Sequence, residues 1–226
     1  PPVTVDADCA AFVDVLVDDV ELAARLKDPA SARAALHDLR RRDRDAADLI
    51  EPLYGATYTP TVLRAGSAVN VIPTHAEACV DCRVLPDMPR DEVRRQVAAV
   101  LDPLGIEWEF EWVDMTEGGN RSPADTPLRD AIAAVLGRDV PDAVLAPMVS
   151  GSFTDSRWVR DAFPGCVAYG FAPFVHESLA DMGGGRDHEP DERILVDDLV
   201  YQALFFERLA RHLLAAGGRA GARPPA

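Results

Sequence analysis

Two stretches of alternating residues limit what this chain can fold into. Ala76, Ala78, Val80, Cys82 and Val84 alternate with Glu77, Cys79, Asp81, Arg83 and Leu85, the period of a half-buried strand. Glu107-Trp108-Glu109-Phe110-Glu111-Trp112 repeats the pattern, with three aromatics toward a core and three glutamates toward water. Between them Val93, Val97, Val100, Leu101 and Leu104 predict an amphipathic helix over 90–102, ended by Pro103 and Gly105. Upstream, Thr57-Tyr58-Thr59-Pro60-Thr61-Val62-Leu63 is rich in β-branched residues and reads as a strand. Pro60 removes a ladder donor and places that strand at an edge. Earlier still, Phe12, Leu16, Val20 and Ala23 or Ala24 predict one helix over 10–27, and a second runs from Ser31 to about Arg42. The order helix, strand, strand, helix, strand is a β-α-β-β-α-β sandwich without its first strand. The chain opens Pro1-Pro2 with no methionine, so a missing N-terminal part is the expectation.

A boundary is expected over 114–123, where Gly118, Gly119 and Ser122-Pro123 cluster. Beyond it the pattern is α/β. Thr126-Pro127 is an N-cap and first-turn pair for a helix through Leu136. Val144–Val149 and Cys166–Phe171 read as buried strands, and a short helix with Trp158, Val159 and Phe163 on its apolar side lies between them. A long irregular stretch, 172–193, holds His176 and His188. The last helix is expected from about Val196 to Leu214 with Leu199, Ala203, Phe206 and Leu213 inward, followed by a disordered tail over 216–226.

The 226 residues suffice for one large domain or two small ones, and 48% hydrophobic content supports a core. A net charge of -15 with no basic stripe argues against nucleic-acid binding. No apolar run reaches the ~20 residues of a membrane span, and no signal peptide is visible. Four cysteines suggest a reducing, cytoplasmic compartment. Cys79 and Cys82 form a C-x-x-C, but residues three apart on a strand point to opposite faces and cannot share a metal or a disulfide.

Three groups could carry chemistry. His188 sits among four carboxylates after Gly183-Gly184-Gly185, a setting that suits a metal ligand or general base as well as a solvated acidic loop. The turn 150–155 opens a helix and could present N–H groups to an anion, with Thr154 and Arg157 adding a hydroxyl and a guanidinium; plain capping by Thr154 is the alternative. Asn70 and Arg83 form the third group. Arg83 on the polar side of its strand could hold a carboxylate bidentately, or simply pair with Asp81 or Glu77.

Gly66-Ser67-Ala68-Val69-Asn70-Val71-Ile72-Pro73 followed by Asp81-Cys82-Arg83-Val84-Leu85-Pro86 resembles the lid signature of a zinc peptidase family. That family includes aminoacylase, glutamate carboxypeptidase, succinyl-diaminopimelate desuccinylase and acetylornithine deacetylase. Gly151–Arg157, Ala168–Pro173 and His188-Glu189-Pro190-Asp191-Glu192 resemble its later motifs, in order. The resemblance implies an α/β chain: a ferredoxin-like lid, or dimerisation, domain over 1–113, and the C-terminal part of a metallopeptidase catalytic domain over 114–215. It implies two zinc ions in the complete site, with His188 as the one ligand evident here. Asn70, Arg83, Thr154 and Arg157 would contact a small carboxylate-bearing amide or peptide, and the lid would make a homodimer.

The same resemblance exposes departures. The H-x-D metal motif and the Glu-Glu pair that holds the general base are not found. His37 and His75 read as solvated, and the role of His176 is open. The expectation is an amide or peptide hydrolase present as its C-terminal portion, inactive alone and with weak zinc affinity. A non-catalytic dimerisation or binding module on the same fold is the alternative.

Overall fold

The computed structural model describes residues 2–86, 88–113, 119–149, 154–177 and 193–220, the last five by backbone alone. The first unit is helical: α1 Ala7–Leu16, α2 Val20–Lys27, α3 Ala32–Arg42 and α4 Arg44–Ile50, closed by a 3-10 turn over Glu51–Tyr54. The single helix expected over 10–27 is two helices. Asp19 is the reason: its carboxylate accepts the Leu22 N–H at 3.0 Å and starts α2 afresh. The break also re-aims the faces. Val13, Leu22 and Leu26 are buried, while Val20 stands 83% exposed. The short α4 lies beyond the helix expected to end at about Arg42. Asp43 caps α4 by accepting the Ala46 N–H, and Arg40 reaches Asp48 and Glu51 across the corner.

Cys9, Val13, Leu26, Ala35, Leu36, Leu39, Ala47, Ile50 and Tyr54 share one core. Tyr54 closes it, donating its hydroxyl to the Leu26 carbonyl at 2.8 Å. Thr4 N–H donates to the Tyr54 carbonyl, and the chain start passes so close to Gly55 that a Cβ there would sit 2.9 Å from the Pro2 carbonyl oxygen.

β1 Thr57–Ala65 and β2 Ala76–Arg83 form an antiparallel hairpin with Tyr58 opposite Cys82 and Val62 opposite Cys79. A register shift lies between Pro60 and Val62, where the proline interrupts the ladder. α5 Arg90–Leu101 follows and ends in a 3-10 turn over Asp102–Leu104 with Gly105 at φ 63°, the helix end expected from Pro103 and Gly105. Val93 is buried, and Tyr58 donates to the Gln96 side chain at 2.9 Å, which sets α5 on the hairpin.

The class is mixed α/β, as expected, but the sheet among the described residues has two strands rather than the three left by a β-α-β-β-α-β sandwich without its first strand. Residues 107–112, 144–149 and 166–171 are not laddered strands. Each is a run of non-helical backbone whose apolar residues find partners without a sheet. Phe110 packs edge-on against Trp112 at 5.0 Å, and Arg90 lies over the Trp112 ring. Leu145, Tyr169 and Phe171 pack on a second core. β2 is also less covered than a half-buried strand, with only Cys79 and Cys82 partly shielded.

The second core joins α6 Pro127–Leu136 to α8 Val196–Ala220 through Ile132, Val135, Leu136, Phe205 and Leu209. Thr126 caps α6 by accepting the Arg129 N–H at 3.2 Å, with Pro127 in the first turn. α7 Ser156–Ala162 lies between. α8 turns a different face inward from the one expected. Phe205, Leu209 and Asp198 are buried, while Leu199, Phe206 and Leu213 are 51%, 44% and 38% exposed. The helix continues to Ala220, into the expected tail, whose residues 221–226 lie outside the described part.

Candidate functional site

Residues 119–123, the described part of the boundary expected over 114–123, are firmly held. Arg160 donates to the Asn120 side-chain oxygen at 2.6 Å, to the Asn120 carbonyl at 3.0 Å and to the Ala168 carbonyl at 2.7 Å. Asn120 in turn donates from Nδ2 to the Arg157 carbonyl and to Asp161. Ser122 Oγ donates to the Ala168 carbonyl and accepts the Ala168 N–H. On the other side Arg121 pairs with Asp6 at 2.6 Å and Asp8 at 3.2 Å. Burial works to raise the Asp6 carboxyl, but the Cys9 N–H and the Arg121 guanidinium outweigh it and hold it below the usual carboxylate range. The segment therefore joins α7, the 168–169 backbone and the helical unit.

These ties border a cleft of about 2590 Å³ whose lining includes residues of β2, α5, 106–113, α6, α7 and 168–171. That is several times the ~300–1,000 Å³ of a small-molecule pocket, so it is an open trough. Arg83, Thr154 and Arg157 all line it, as does His75.

Arg83 is exposed and pairs with Asp81 two residues away at 2.7 Å, while Glu77 takes Arg64 instead. An exposed pair of this kind contributes ~0–1 kcal/mol, so Arg83 can change partners at little cost. Thr154 is exposed. Its carbonyl accepts the Arg157 N–H, and Asp155 rather than Thr154 occupies the cap of α7. Arg157 is well covered: its guanidinium lies 5.0 Å from the Trp158 ring centre and 3.4 Å from Asp161. Asn70 is exposed in the turn between β1 and β2, outside the residues that line the trough. His188, the expected metal ligand, lies outside the described residues, as do 150–153 of the anion turn. Among the described residues no three His, Cys, Asp or Glu side chains converge as a metal site would require.

His37 and His75 are exposed, and His37 meets Arg41. The His176 side chain is exposed too, but its backbone is pinned. Asp198, fully buried, accepts the N–H groups of Val175, His176 and Glu177 at 2.8–3.0 Å. Burial pushes the Asp198 carboxyl up, yet the three amides together draw it below its ordinary value. Sequence reasoning missed this residue, and Asn120 and Arg160 with it. An acidic residue in the first turn of a helix was the available signal for Asp198; nothing local marks the other two. Burial pushes the Cys9 thiol up to about 11, with Asp6 adding to it.

Residues 21–109 match the peptidase dimerisation domain. Succinyl-diaminopimelate desuccinylase of Methylococcus capsulatus is 28% identical over 190 residues, 80% of this chain and 44% of that protein. The enzyme of the same name from Stutzerimonas stutzeri is 29% identical over 155 residues, 67% of this chain and 36% of that protein. Aminoacylase-1 of Sus scrofa is 28% identical over 158 residues, 69% and 36% respectively. The match thus covers less than half the length of each of these relatives. No solved structure matches. Residues 21–109 thus match a peptidase dimerisation domain, and the chain as a whole is similar to desuccinylases and an aminoacylase.

Proposed function

We propose that the chain is the C-terminal portion of a metal-dependent hydrolase that cleaves an amide or peptide bond next to a free carboxylate. The observation that supports this reading is that Arg83, Thr154 and Arg157 all line one trough, in a chain whose relatives are named desuccinylase and aminoacylase. Residues 1–113 are read as the lid, through which two copies pair, 114–215 as part of the catalytic domain and 216–226 as a tail. A cytoplasmic setting fits the four unbridged cysteines.

Within this reading Arg83 gives up Asp81 for the ligand's carboxylate, a two-pronged guanidinium contact. Arg157, held by Trp158 and Asp161, presents its charge to the same trough. Thr154 offers a hydroxyl that donates or accepts, and Asn70 closes from the hairpin tip. Two zinc ions belong to the complete site, with His188 as one ligand. The described residues do not by themselves make up a metal-binding set.

The test is turnover of N-succinyl and N-acyl amino acids with added zinc. The chain alone is expected to be inactive, and activity is expected when the remaining length of a relative is supplied as a second polypeptide. Turnover by the chain alone overturns its reading as a catalytic portion. Continued silence in the supplemented mixture, with the two pieces bound to each other, favours a dimerisation or binding module.

A further inference from the structure

Arg160 differs from four other arginines of the trough in what neutralises it. Arg83, Arg121, Arg129 and Arg157, which also line the trough, each pair with a carboxylate. Arg160 donates to three neutral oxygens, two on Asn120 and one on Ala168, and among the described residues pairs with no carboxylate. The nearest acid in sequence, Asp161, is engaged by Asn120 and Arg157. A half-buried cation without a counter-charge is unusual in a chain of net charge -15, because desolvation of the ion goes uncompensated. The three neutral acceptors fix its plane without cancelling its charge. A guanidinium has five N–H donors, so about two remain unused. Arg160 is three residues from Arg157 on α7, which places both on one side of that helix.

The geometry points to Arg160 as an anion-binding group that takes a second carboxylate of the ligand, beside the one read onto Arg83; it rests on the trough being the substrate face. The ligand class is a dicarboxylate or an acyl amino acid with a second acid group. Asn120 and the Ala168 carbonyl hold the fork ready, so the ligand has no side-chain ordering to impose there.

The test is calorimetric titration of the chain with succinate and with succinamate, in which one carboxylate is an uncharged amide. The wild-type chain is expected to prefer succinate. Arg160→Gln is expected to weaken succinate roughly tenfold, the scale of a lost charged hydrogen bond, and to leave succinamate unchanged, so the preference collapses. A preference that survives Arg160→Gln in a variant with native near-ultraviolet dichroism overturns the proposal and leaves Arg160 a strut. Should that variant unfold, Arg160→Lys decides, since it keeps the charge but loses the fork: a reduced preference supports the proposal and an unchanged one overturns it. Arg83→Gln and Arg157→Gln separate the two ideas. If they weaken succinate and Arg160→Gln does not, only the Arg160 proposal falls; if the wild-type chain binds neither compound, the substrate-face reading falls and the proposal with it.

Discussion

Tyr54→Phe removes one oxygen from the helical unit and leaves the ring in place. The hydroxyl donates to the Leu26 carbonyl at 2.8 Å, and Tyr54 is 5% exposed. Leu26 lies in the last turn of α2, where carbonyls have no helical partner. The amide that a longer helix would offer it, Ala30 N–H, donates to Asp28 instead. The variant therefore strands a buried acceptor, a cost of about 1–3 kcal/mol. At ~2–4 °C per kcal/mol for a chain of this size, Tm should fall by about 2–12 °C. Burial, with Cys9 nearby, raises the Tyr54 phenol well above its ordinary value. The protonated phenol is thus the form the fold keeps: its contribution is complete below the unfolded pKa of ~10 and is lost as pH rises toward the folded one. Thermal scans of both proteins from pH 7 to 11 should show the Tm gap constant to about pH 9 and narrowing above 10. A gap under 1 °C at pH 7, with Tyr54→Ala strongly destabilised, would mean that the ring alone supports the unit.

Two further outcomes follow from buried acids. Cys9 should be the last thiol to react with a disulfide reagent at pH 8, since its thiol is pushed up to about 11 and it is 4% exposed; four thiols reacting at one rate would contradict its burial. Asp198→Asn should expose the Val175–Glu177 amides to hydrogen exchange. Because the native carboxyl is held below its ordinary value, the stability gap to wild type should be full at neutral pH and close as pH falls below about 4; a gap that widens in acid reverses the sign argued here.

What the sequence made legible was what is written locally. Thr126-Pro127 at the head of α6 and Pro103 with Gly105 at the end of α5 depend on near neighbours, and both stand where the pattern puts them. The helix over 10–27 failed for the complementary reason: hydrophobic spacing ran through Val17–Asp19, and the competing signal was one aspartate that could cap. The strands at 107–112, 144–149 and 166–171 failed differently. Alternation says which side chains share a face, and Trp108 and Phe110 are indeed better covered than Glu107 and Glu109. It cannot supply the partner strand that turns extended backbone into sheet. In the candidate site the charged residues were legible by type, but Asn120 was not, because its role depends on Arg157, Arg160 and Asp161 some forty residues away.

The last helix makes the limit sharpest. Leu199, Ala203, Phe206 and Leu213 repeat at helical spacing, and so do Phe205 and Leu209 on another side. With two apolar faces, periodicity cannot choose which one goes in. The choice falls to a charged residue, Asp198. Turning Phe206 inward would rotate α8 by roughly one residue, ~100°, and carry Asp198 away from Val175, His176 and Glu177. Three amides would lose their acceptor, and the carboxylate would lose the donors that make its burial tolerable. A core accepts different hydrophobic residues so long as total volume and patterning are kept, whereas a buried carboxylate held by three consecutive N–H groups fits in one orientation. A polar residue thus sets the facing of the helix, and Leu199, Phe206 and Leu213 are left exposed as a consequence.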